Sequence, residues 1–147
     1  VAFQYPFQKV VDLKSSEKTY AERILSKAIG ELHTEQSRLD TLQSHREQVQ
    51  SQVAASVQET TTVSHLRLMQ QYMNHIDRQI DRKHKDVQDA QYTVFERQDQ
   101  LTMKMREEKQ WVKAREKAYR KFETDVRRKE QYEMDEMASL RSRLIES

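Results

Sequence analysis

The chain has 147 residues, 34% of them charged and 35% apolar, with a formal net charge of +2 and no cysteine. One glycine, one proline and a mean hydropathy of -1.04 exclude a compact globule, which needs turn residues every ten to fifteen positions. The lack of cysteine excludes disulfides and thiolate metal sites, and no apolar run is long enough to span a membrane. The first residues show neither the basic nor the apolar region of a signal peptide, so a cytoplasmic protein is expected.

In chain order, Phe3, Tyr5 and Phe7 surround Pro6, which suits the first turn of a helix because its missing N–H would be unsatisfied there anyway. From about residue 7 to 58, Val10, Leu13, Tyr20, Ile24, Ala28, Leu32, Leu39, Leu42, Val49 and Val53 recur at helical intervals. Two consecutive steps of four, from Ile24 to Ala28 to Leu32, predict a stutter in that face with Gly30 inside it. The pattern fades between about residues 59 and 64, where consecutive threonines are poor helix formers and one of them can cap a new helix.

A second helix is expected over about residues 65–145. Leu66, Met73, Ile80, Val87, Val94 and Leu101 are each seven apart, and Met69, Ile76 and Ala90 fall at the complementary positions, interrupted by Lys83 and Arg97. That is the signature of a coiled-coil seam. After Leu101 the apolar pattern changes phase and continues at seven through Met105, Val112, Tyr119 and Val126. Acid-first pairs such as Asp81/Lys85 and Glu123/Arg127 make the outer face soluble.

A short connection between long helices favours antiparallel neighbours, so the expected fold is all-α: one coiled-coil domain, a long antiparallel two-helix hairpin. With the turn near residue 61 or 62, Leu42 lies near Asp81, Leu32 near Gln91 and Leu13 near Gln110. The first helix then ends opposite about residue 117, and residues 118–147 form an unpaired overhang, about 45 Å long at about 1.5 Å per residue. The same register brings Phe3, Tyr5 and Phe7 close to Trp111 or Tyr119. The overhang still carries Tyr119, Phe122, Val126, Tyr132, Met134, Met137, Leu140 and Leu144, a stripe that calls for a partner.

No constellation points to catalysis. No two of His33, His45, His65, His75 and His84 stand four apart for joint metal ligation, and there is no glycine-rich phosphate loop. Neither an enzyme nor a cofactor is expected. The basic stretch from Lys104 to Lys129 admits a nucleic-acid reading, but its scattered acids favour a surface facing an acidic protein. A homodimeric coiled-coil scaffold is a further alternative.

The opening from Phe3-Gln4-Tyr5-Pro6-Phe7 to Lys14 with Glu17-Lys18, the central Gln70-Gln71-Tyr72-Met73-Asn74-His75-Ile76-Asp77-Arg78-Gln79-Ile80, and the tail from Lys121 to Ala138 together resemble the flagellar export protein FliJ family. The resemblance implies a stalk and adaptor of the flagellar type III export apparatus, at the inner face of the cell membrane, with the equivalent injectisome stalk as a neighbouring alternative. It implies partners: the hexameric export ATPase, the cytoplasmic domain of the gate protein FlhA, and export chaperones, but no nucleic acid. By position, Leu42, His45, Tyr72, Ile76, Gln79 and Lys83 would bind the gate. Tyr119, Phe122, Arg127, Arg128, Tyr132 and Met137 would meet the ATPase ring.

Overall fold

A computed structural model describes residues 2–59 and 61–146. Among them the chain forms two helices, α1 (Gln8–Gln58) and α2 (Val63–Glu146), packed antiparallel as an all-α hairpin. The turn is capped as its threonines predict. The Thr62 hydroxyl accepts the His65 N–H at 3.2 Å, and the Thr62 carbonyl accepts the Leu66 N–H at 3.1 Å. This satisfies donors that the first turn of α2 would otherwise leave open. Ahead of α1, the Tyr5 carbonyl accepts the Gln8 N–H and the Phe7 carbonyl accepts the Val11 N–H, so the helix begins two residues after Pro6.

The hairpin divides into two compact units, residues 20–101 and residues 1–19 with 102–147. In the first, which contains the turn, Leu39, Val49, Met73, Ile76, Ile80 and Val87 form the buried core, with Leu32, Leu42 and Val53 packed against it. The heptad residues of α2 fill the seam as their spacing predicts. In α1 the expected stutter does not occur. Leu25, Leu32, Leu39, Arg46 and Val53 step by seven through this unit, as do Ala21, Ala28, Glu35, Leu42 and Val49, and every one is buried or half-buried. Glu35 and Arg46 hold seam positions without being apolar, so counting apolar residues alone loses the register there. Arg46 meets Asp77 in the expected register, and Lys83 meets Glu35 about one and a half helical turns from it.

Among the described residues of the second unit, only Val11 is buried to the same degree. Leu13 points outward, at 55% exposure, as does Tyr20 at the start of the other unit, at 64%, and Lys14, Glu17 and Lys18 line the contact instead. The expected phase change after Leu101 is likewise corrected. Met105, Val112 and Tyr119 are exposed, and Lys104, Trp111 and Ala118 occupy the seam in steps of seven. Three cross-helix ion pairs stand where apolar layers would: Lys14–Glu107 at 3.1 Å, Lys18–Glu108 at 3.0 Å and Lys104–Glu17 at 3.2 Å.

Candidate docking surfaces

Two regions collect the residues singled out by sequence. Near the turn, His45 on α1 and Tyr72 on α2 sit on the same flank of the seam. The His45 Nε2 lies 2.7 Å from the Tyr72 hydroxyl, and the rings meet edge to face with centroids 5.8 Å apart. Heptad geometry explains the contact: both residues occupy the position beside the core, where side chains of antiparallel helices cross. Tyr72 keeps 47% of its surface exposed and Gln79, seven residues on, is half-buried beside the same seam.

The remaining expected gate residues play different parts. Leu42 packs against the core, leaving a half-buried edge. Ile76 is 1% exposed, so it supports this flank from inside and offers no surface of its own. Lys83 is engaged with Glu35 at 2.9 Å and Asp86 at 3.2 Å, and these carboxylates hold its ammonium pKa above its ordinary value. Of the six, then, His45, Tyr72 and Gln79, with the edge of Leu42, form a surface. Sequence reasoning missed what lies beside them. Val49, Leu68, Met69 and Tyr72 line a shallow groove of about 460 Å³, and Leu68 is 63% exposed. The signal was an apolar residue standing outside the heptad, Leu68.

The second region begins with an aromatic cluster. Phe3 packs edge-on to Tyr119 at 5.2 Å and against Phe122 at 5.3 Å, and Phe7 meets Trp111 at 5.9 Å. The segment before α1 thus covers residues that were expected to lie in the unpaired overhang. The fully exposed stretch starts after Val126, not at residue 118, because Phe3 ahead of α1 packs on Tyr119 and Phe122. Tyr119 retains 45% exposure, and its hydroxyl donates to Glu123, which raises the phenol pKa. Phe122 is half-buried under Phe3. Beyond it, every described side chain from Arg127 to Glu146 is exposed, including Arg127, Arg128, Tyr132 at 64% and Met137 at 69%. Of the six expected ring residues, four therefore stand on the free tail and two belong to the aromatic cluster at its root.

Among the described residues no group of three His, Asp or Glu side chains is placed to hold a metal ion, and no helix is long and apolar enough to cross a membrane.

With this geometry in view, known proteins place the chain. The family model described as flagellar FliJ protein matches residues 3–144. The chain belongs to the FliJ family. A curated relative, the flagellar FliJ protein of Bacillus subtilis (strain 168), is 26% identical over 138 residues, covering 94% of each chain. Among solved structures, a Chlamydia trachomatis protein described as a YscO homolog superposes with a TM-score of 0.73 over 97% of both chains at 21% identity, a likeness of fold. The FliJ match spans both units and most of the exposed tail.

Proposed function

We propose that this FliJ-family chain works in flagellar type III protein export as a stalk and adaptor without an active site of its own. In this reading the tail from Arg127 onward docks in the hexameric export ATPase. The His45–Tyr72 flank, with Gln79 and the edge of Leu42, docks on the cytoplasmic domain of the gate protein FlhA. The protein would then sit at the inner face of the cell membrane by way of its partners, and export chaperones would be further ligands.

The observation that carries the reading is the tail. Twenty consecutive residues from 127 to 146 continue α2 with every side chain exposed. A lone helix bearing Tyr132, Met134, Met137 and Leu140 at 57–69% exposure leaves apolar area open to water that a docking partner would cover. Arg127, Arg128 and Lys129 at its root supply charge for steering onto an acidic wall.

Co-purification with the export ATPase, and stimulation of its ATP hydrolysis, test this on the intact chain beside a version truncated after Val126. Binding and stimulation by the intact chain, both lost on truncation, are the expected result. Equal binding by both forms would remove the tail from the interface, and no binding by either would sink the stalk reading.

A further inference from the structure

The exposed tail has a pattern that its length and hydrophobicity do not explain. Arg127, Glu130, Met134, Met137, Arg141 and Leu144 are spaced three, four, three, four and three apart, which puts all six on one face of α2. Met134 and Met137 are 64% and 69% exposed, and with Ala138, Arg141 and Ile145 they frame a shallow groove of about 620 Å³. This is the spacing of a coiled-coil seam, on a stretch of helix whose own hairpin partner has already ended.

The charges on that face are arranged about its centre. Glu130 lies four residues before Met134, and Arg141 lies four residues after Met137. A second copy of the helix, turned end for end and centred between the methionines, places Met134 against Met137 in two equivalent layers. The same register sets Glu130 against Arg141 on both sides. It also sets Arg127 against Leu144, where the arginine stem can lie over the leucine with its guanidinium in water. The contact is self-complementary, as a two-fold interface must be. A parallel pair would instead stack Glu130 on Glu130, Arg141 on Arg141 and Arg127 on Arg127, each a like-charge layer. Sliding the antiparallel pair by one heptad in either direction sets a methionine against Glu130 or Arg141 and breaks up the Met134–Met137 layers.

We infer that the tail is an antiparallel homodimerisation surface, its occupant a second copy of this chain in the register that pairs Glu130 with Arg141. The inference stands apart from the export reading: it concerns the protein alone in solution, and the dimer would hold the same stripe that any docking partner of the tail has to take over.

The chain has no cysteine, so introduced thiols report without background. Glu130→Cys and Arg141→Cys are made separately in the full-length protein and oxidised alone and mixed. In the proposed register like positions are eleven residues out of step, about 16 Å along the axis and beyond disulfide reach. Each variant alone should therefore give little covalent dimer, and the mixture should give the mixed disulfide. A parallel dimer would cross-link each variant with itself, and a monomer would cross-link neither; either result overturns the inference. Charge exchange gives a second readout, by sedimentation of the full-length chain. Glu130→Arg or Arg141→Glu alone should weaken dimerisation about tenfold or more, and the two together should restore it, since close charge pairs across an interface couple strongly. Equal association by the single and double variants would also overturn it.

Discussion

Residues 20–101 and the unit made from both ends of the hairpin share one topology but are held together differently. The first rests on six buried apolar residues in layers, Ile76 at their centre. The second has, among its described residues, one as buried as these, Val11, and relies on the ion pairs Lys14–Glu107, Lys18–Glu108 and Lys104–Glu17 and on rings contributed by the segment before α1. Burial of apolar area is the stronger and less conditional of the two, because partly exposed ion pairs are screened by salt and return little net energy. The same two-helix contact can thus be firm in one unit and yielding in another, without any change of backbone. The conformationally soft part thus belongs to the same unit as the exposed tail, and the firm part to the unit that holds His45 and Tyr72.

The largest expected effect tests the firm unit. Ile76→Ala removes most of a side chain that is 1% exposed, and should cost about 2–5 kcal/mol through lost burial and the cavity left behind. Circular dichroism during thermal unfolding measures it. Phe7→Ala should cost less, because Phe7 is 52% exposed and, among the described rings, its own meets only Tyr5, two residues before it, and Trp111 across the hairpin. If Phe7→Ala proved the more damaging, the ranking of the two units would be reversed. Trp111 is the only tryptophan, so its fluorescence reports that second unit alone, and the Phe7 substitution should shift its emission to the red.

Acid should separate the units next. Lys104 and Lys14 hold the Glu17 carboxyl below its ordinary value of 4.5, and Lys18 does the same for Glu108. A carboxyl whose folded value is depressed contributes stability above its unfolded value, and that contribution is lost as pH falls through the depressed one. Both residues belong to the ion-paired unit, so Trp111 emission should change below about pH 4.5 at a higher pH than the helical signal of the whole chain. Raising the salt concentration at neutral pH should loosen the same unit, and the apolar core much less. Coincident acid transitions by both probes would show that the hairpin opens as one and that the comparison has no energetic content.

How far sequence reading reached follows from the same contrast. The helices, the turn and its threonine cap, the antiparallel pairing and the α2 seam from Leu66 to Leu101 were legible because apolar residues mark them at every seventh position. Where charged residues take seam positions, the apolar pattern points the wrong way: Glu35 and Arg46 hid the true heptad of α1, and Lys104 and Glu108 hid that of α2. The outward-facing Met105 and Val112 then looked like a continuation of the seam. A reading that allowed a seam position to hold one half of an opposite-charge pair would have kept the register. Of the residues expected to dock, the His45–Tyr72 contact was not foreseen, because a flank position carries no period of its own. Ile76 was placed both in the seam and among gate contacts; its burial leaves it only the first role.

The smallest effect concerns Gly30, and it separates two explanations of why that residue is there. A glycine within a stutter, or where another backbone comes close, resists replacement. Here the heptad runs through without a phase shift, and a Cβ built on Gly30 meets nothing within 4 Å. Its backbone is ordinary helix, with the carbonyl accepting the Thr34 hydroxyl at 3.1 Å, and it has no positive φ. Gly30→Ala should therefore stabilise the chain by about 0.5–1 kcal/mol, the usual gain from restricting the unfolded chain and improving helix propensity. The gain should appear in the melting of the whole helix and leave Trp111 emission at neutral pH untouched, since Gly30 lies in the other unit. A loss of stability would mean that the exposed face at Gly30 meets something in solution, and residues 20–101 would then have a contact surface on the side of α1 away from His45 and Tyr72.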